Sequence, residues 1–271
     1  MKRQLARLLI VIPAAIALAA ATLAGTAAAR TDRAPAGKTF VDRLYGVTTL
    51  SRSDAWAAGL MPNSSLILHW NGRAWSKSLA GAGYYLGTGA DSASDVWAVG
   101  GTSWFSPSAP LIEHWNGTAW SRVPTPDPAG GPNYLNSVSA TSYRNAWAVG
   151  ATGFANNDAT LIEHWNGTAW TVVASPTPDG DAQVMGVSAT RRTDAWAVGM
   201  TRGRTCRPNC ATFIEHWNGT AWTQVPSPSP AGRGLEALLS VSASGRHNAW
   251  AVGTIGYART LQIHWNGKTW S

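Results

Sequence analysis

The chain predicts an all-β fold: a five-bladed β-propeller of four-stranded antiparallel blades, preceded by a cleaved signal peptide. Three observations carry this. Five segments read His-Trp-Asn-Gly-x-x-Trp, starting at His69, His114, His164, His216 and His264, between 45 and 52 residues apart. Five more read Asp/Asn-Ala/Val-Trp-Ala-Ala/Val-Gly, around Trp56, Trp97, Trp147, Trp196 and Trp250. The remaining segments are short, rich in β-branched or aromatic residues and bounded by turn formers, and no helical period beyond the N-terminus extends over ten residues. A supersecondary unit of this length repeated five times is the signature of a propeller.

Each unit divides into four segments, a to d. In the third unit these lie near 135–141, 146–152, 160–165 and 168–174. Segment a begins Leu44-Tyr-Gly-Val-Thr in the first unit and has counterparts at Leu86, Leu135, Met185 and Leu239. An Asp or Asn precedes each segment b, where its side chain can cap the a–b turn. Asn-Gly between c and d is a strong short-range hairpin signal and predicts a type I′ turn. Alternation then puts both Trp residues of His-Trp-Asn-Gly-x-x-Trp on one face and the His on the other. Both faces are bulky and apolar, as a blade stacked between two neighbours requires. The repeats span about 39–80, 81–130, 131–180, 181–234 and 235–271.

This arithmetic assigns nearly all the tryptophan. The chain has 271 residues and 16 Trp, against 13% charged residues. Three Trp per unit account for fifteen: the five of segment b, and the pairs Trp70 and Trp75, Trp115 and Trp120, Trp165 and Trp170, Trp217 and Trp222, Trp265 and Trp270. Each Trp buries some 150–250 Å², so they suit packing between blades. Trp104 alone falls outside the pattern.

The N-terminus stands apart. Lys2, Arg3 and Arg7 precede an apolar stretch over 8–25, and Ala27-Ala28-Ala29 supplies a small-x-small cleavage pattern. Residues 1–29 read as a secretory signal peptide and 30–38 as a linker, so the expected location is extracellular, with no stable membrane insertion after cleavage. Removing the three leader cations takes the formal charge from +7 to about +4. The remaining cations are scattered, which argues against nucleic acid as a partner. The only cysteines, Cys206 and Cys210, predict a small-loop disulfide in an oxidising compartment, and no further soft ligand nearby suggests a metal.

In a meander the a–b and c–d turns share one end, the b–c loops and d–a linkers the other. The first set is nearly identical between units, whereas the second varies in length and content. Variation on one end marks where binding specialises. Candidate binding residues there are Trp104, Phe105, Phe154, Asn156, Asn157, Asp158, Tyr257 and Arg259, a mixture of rings, amides and charges that suits sugars or a protein surface. The repeat His residues and Glu113, Glu163 and Glu215 recur by unit and read as structure. Asn116, Asn166 and Asn218 match a glycosylation sequon, but the hairpin turn explains them.

The Asp-Ala-Trp-Ala-Val-Gly and Leu-Ile-Glu-His-Trp-Asn-Gly-Thr-Ala-Trp strings resemble a large group of bacterial secreted propeller-like repeat proteins over about 39–271. The Asn-Gly-x-x-Trp hairpin is loosely similar to the Asp-box of sialidase-type propellers, with Asn in place of its Asp and His-Trp in place of its Ser, and that box is structural. Five-bladed tachylectin-like lectins are an architectural parallel in blade number and repeat length only. The expected function is a secreted, non-catalytic module that binds glycan or extracellular protein, with no cofactor. A propeller-type glycoside hydrolase or lyase and a purely structural protein are the alternatives; an enzyme would need a convergent acid, base and nucleophile, and no such set stands out.

Overall fold

A computed structural model describes residues 43–61, 64–103, 108–128, 132–153, 158–201, 210–230, 234–256 and 259–271. The first unit is β1 (Arg43–Ser51), β2 (Asp54–Met61), β3 (Ser64–Trp70) and β4 (Trp75–Leu79). The second is β5 (Tyr84–Ser92), β6 (Asp95–Gly101), β7 (Pro110–Trp115) and β8 (Trp120–Arg122). The third is β9 (Asn133–Ser142), β10 (Asn145–Thr152), β11 (Ala159–Trp165) and β12 (Trp170–Val172), and the fourth β13 (Ala182–Arg191), β14 (Asp194–Thr201), β15 (Cys210–Trp217) and β16 (Trp222–Gln224). The fifth has β17 (Gly234–Gly245), β18 (Asn248–Ile255) and β19 (Arg259–Trp265), with a bridge from Trp265 to Trp270 in place of an outer strand. Each unit is an antiparallel meander. One parallel bridge, Cys210 to Leu235, links the last two units into a seven-stranded sheet. Propeller-type, four-stranded antiparallel construction is therefore observed.

The units stack through the tryptophans. In β6 and β7 the register pairs Trp97 with His114 and Val99 with Ile112 on one face, and Ala98 with Glu113 and Val96 with Trp115 on the other. The first face packs on the second face of the next unit: Trp97, Val99 and Ile112 bury against Leu135, Val138, Ala148, Leu161 and Trp170. The same cluster recurs between units one and two, three and four, and four and five. Trp56 shows the geometry. It stacks on His69 at 4.0 Å, and the next hairpin clasps it with Trp115 tilted and Trp120 edge-on, both at 5.4 Å.

Two turn expectations are corrected. Trp70 pairs directly with Trp75, so the c–d connection holds four residues and is not a two-residue type I′ turn. Asn71 Oδ1 accepts from the N–H groups of Arg73 and Ala74, and Gly72 takes φ +88°, which a side chain would resist. The same Asn bonds recur at Asn116, Asn166, Asn218 and Asn266. The Asp or Asn before segment b, expected to cap the a–b turn, bonds the histidine across the hairpin. His69 Nε2 lies 3.0 Å from Asp54, His114 2.6 Å from Asp95, His164 2.8 Å from Asn145, His216 2.7 Å from Asp194 and His264 2.7 Å from Asn248, each time to Oδ1. The first hairpin Trp donates its indole N–H to a carbonyl of the a–b turn, as Trp115 does to Ala93 at 3.2 Å. One end of every unit is thus tied by the same bonds.

Candidate functional site

The innermost strand of each unit is segment a, and the five a-strands β1, β5, β9, β13 and β17 line one cavity of about 550 Å³. Each carries a β-bulge one residue past the position that pairs with the glycine of segment b. The bulge residues are Tyr45, Leu86, Asn136, Met185 and Leu239, and all five line the cavity. A bulge leaves one residue out of the ladder and re-aims its side chain. Here it turns a scaffold strand into a wall whose side chains differ between units. Beside the bulge the strands run close: a Cβ on Gly150 would stand 1.9 Å from the Tyr134 carbonyl oxygen.

The wall is neutral. Its other residues are Gly, Val, Thr and Ser, so Tyr45 is its one titratable side chain, and Asn136 is committed through Nδ2 to the Val184 carbonyl at 2.8 Å. Tyr45 and Leu239 are exposed to it. None of these five is among the binding candidates named from the sequence. The available signal was one variable position inside an otherwise repeating a-segment.

The sequence-predicted residues fall differently. Trp104, Phe105, Phe154, Asn156, Asn157, Tyr257 and Cys206 lie outside the described residues. Asp158 is buried at the base of its b–c loop, where its carboxylate accepts from the Gln183 amide, which also reaches Tyr134 Oη at 2.7 Å, and its backbone N–H donates to Asp181. It serves the joint between the b–c loop and the next a-strand. Arg259 is exposed at the start of β19, across the ladder from Ile255. Cys210 is buried at the first position of β15. Among the described residues no group of three or more His, Cys, Asp or Glu could hold a metal ion.

The recurring carboxylates sit in the joints between units. Glu163 and Glu215 are fully buried, and among the described residues Glu215 has no hydrogen-bond partner for either oxygen. Burial pushes Glu215 up to about 8 and Glu163 up to about 7, although Thr125 donates to Glu163. Burial also raises Glu113 and its neighbour Tyr85. None of these three lines the central cavity.

No protein-family model and no curated protein matches the chain. Solved structures do. A fungal lectin described as a six-bladed β-propeller with a novel mode of fucose recognition, from Aleuria aurantia, superposes with TM-score 0.58 at 11% identity, over 85% of this chain and 77% of that one. A structure of YCF48 bound to D1 peptide gives 0.52 at 14%, over 86% and 67%. An ancestral GH74 enzyme gives 0.55 at 14%, over 83% of this chain and 31% of that one. At these identities the likeness shows the propeller fold.

Proposed function

We propose that the chain is a secreted, non-catalytic binding module, a propeller of five blades that takes a neutral ligand at the central cavity and the variable loops at its mouth. The observation that carries this is the ring of bulge residues. The scaffold repeats, yet the bulge side chain that each blade contributes to the cavity wall changes, from Tyr45 to Leu86, Asn136, Met185 and Leu239. A cavity of this volume is in the range of small-ligand sites. Its wall offers aliphatic and aromatic surface, hydroxyls and an amide, the chemistry of a sugar face or a short uncharged peptide. Among the described residues it offers no carboxylate pair of the kind most glycosidases use. The fucose lectin and the peptide-bound YCF48 support a binding reading by architecture alone. Export by residues 1–29, with cleavage after Ala29, and a Cys206–Cys210 bridge complete the proposal.

A glycan and peptide array with the purified mature chain tests it. Binding should weaken by about tenfold or more on Tyr45→Ala, as loss of a central aromatic contact does, and on Trp104→Ala at the loops. Measurable glycoside turnover, abolished by a single carboxylate substitution, would overturn the reading. Intact-mass analysis of secreted protein, before and after reduction and alkylation, checks the leader and the bridge.

A further inference from the structure

Cations that are scattered along the sequence come together in the fold. The a–b turns are two residues long: Arg52-Ser53, Ala93-Ser94, Tyr143-Arg144, Arg192-Thr193 and Arg246-His247. Every tip but that of the second unit holds an arginine, and the c–d turns add Arg73 and Lys268. All six of these side chains are exposed. The two kinds of turn meet at one end of each unit. A Cβ on Gly72 would stand 2.8 Å from Ser53 Cβ, and one on Gly167 would stand 2.7 Å from Arg144 Cγ. The backbone under the cations is held in place. Trp70 donates to the Arg52 carbonyl at 3.1 Å, Trp217 to that of Arg192 at 3.1 Å and Trp265 to that of Arg246 at 3.0 Å. Consecutive units stack through the same cluster, so their turns emerge at the same end of the molecule.

The carboxylates of this end sit beneath the tips. Asp54, Asp95 and Asp194 follow the turns and commit Oδ1 to a histidine, and Asp95 and Asp194 are buried. Asp91 is exposed, but it belongs to the second unit, whose turns bear no cation. Over the other four units an approaching surface therefore meets positive charge first. Screening within about 8–10 Å at ordinary ionic strength gives those nearest charges the most weight.

We infer that this end docks on an anionic lipid surface, with the cation-bearing turns of the first, third, fourth and fifth units against the phosphate headgroups. A plane touches the tips of several units at once, whereas a linear polyanion meets only those along its own path. Tyr143 suits the same surface. It is 62% exposed at its turn tip, and the Arg144 guanidinium lies over its ring at 5.0 Å. A tyrosine beside a cation matches the boundary between headgroups and water, with one end apolar and the other wet. Docked in this way, the molecule holds the variable loops, at its other end, away from the lipid.

The test is cosedimentation of the mature chain with vesicles of phosphatidylcholine, alone or with about one third phosphatidylglycerol. The chain should bind the anionic vesicles, leave the neutral ones and come off as salt is raised. Arg192→Gln with Arg246→Gln should weaken binding by about fivefold per arginine removed. Arg43→Gln with Arg259→Gln removes the same charge where β1 and β19 begin, at the opposite end, and should change binding by about twofold or less. None of these four residues lines the central cavity, so ligand binding reports separately on the proposed function. A chain that ignores anionic vesicles at low salt overturns the inference, including one that captures a soluble polyuronate instead. Equal losses in the two pairs overturn it as well, and so does equal binding to neutral vesicles. If a variant fails to fold, hydroxyl-radical labelling of Tyr143 in the native chain decides: anionic vesicles should protect the ring and neutral ones should not, and a ring left unprotected overturns the inference.

Discussion

Asp95 and Asn145 hold the same turn position in different units, and each presents one oxygen to a histidine that supports a buried tryptophan. The bond needs an acceptor and not a charge. In the second unit burial works against the Asp95 carboxylate, yet hydrogen bonds from His114 and with Asp91 outweigh it and hold Asp95 below the usual carboxylate range. Asp91 answers by rising to about 6, through burial first and then its contact with Asp95. Asp95→Asn should therefore be nearly neutral, since the new amide can donate to Asp91, as Asn145 donates to Thr141. Asp95→Ala leaves the half-buried His114 without its partner beside Trp97 and should cost about 1 kcal/mol, the low end of the penalty for orphaning a polar group. Urea unfolding of the two variants measures the contrast. The histidines were legible as repeat structure. Their partners were not, because sequence spacing shows that Asp95 begins a strand but not that its side chain crosses the hairpin to His114.

The element that the chain concealed is the bulge. Alternation with period two identifies each a-segment as a strand, but one residue out of register becomes visible only in the pairing. Asn-Gly misled for a related reason: the dipeptide marks a hairpin, while loop length depends on which residues pair, and Trp70 pairs with Trp75. The glycine of segment b was legible as a repeat, and the structure supplies its cause. A Cβ on Gly150 would meet the Tyr134 carbonyl oxygen at 1.9 Å, and backbone cannot step aside as a side chain can. Gly150→Ala should lower stability by about 1–3 kcal/mol or more through overpacking. Gly245→Ala, at the end of β17 with nothing within 4 Å of the added methyl, is the control and should stay within about 0.5 kcal/mol. Thermal unfolding of both variants separates crowding from a general intolerance of alanine for glycine.

At the scale of the whole molecule, the fold was legible because the joints between units are written in the repeats themselves, three tryptophans at a time. The ligand was less so, because recognition falls to residues that do not repeat. Of the eight binding candidates, the structure describes only Asp158 and Arg259, and Asp158 is committed to a buried joint. The joints also carry the molecule's response to pH. Glu163 faces the second unit and Glu215 the third, each on the face that bears the hairpin tryptophans of its own unit. Burial raises both above the ordinary carboxylate value of 4.5, to about 7 and about 8. Between those limits the folded chain binds protons that the unfolded chain releases, so stability falls as pH rises. The decline begins near the unfolded value and is complete once pH passes the folded ones. Asp91, raised to about 6, adds to it in the same direction. Tm should therefore drop as pH is taken from about 5 to about 9. Glu163→Gln with Glu215→Gln should remove most of that slope and leave the chain more stable than the native one at the alkaline end. A native Tm that holds level across this range, or a double variant that declines as steeply, would show that the two joints do not keep protonated acids.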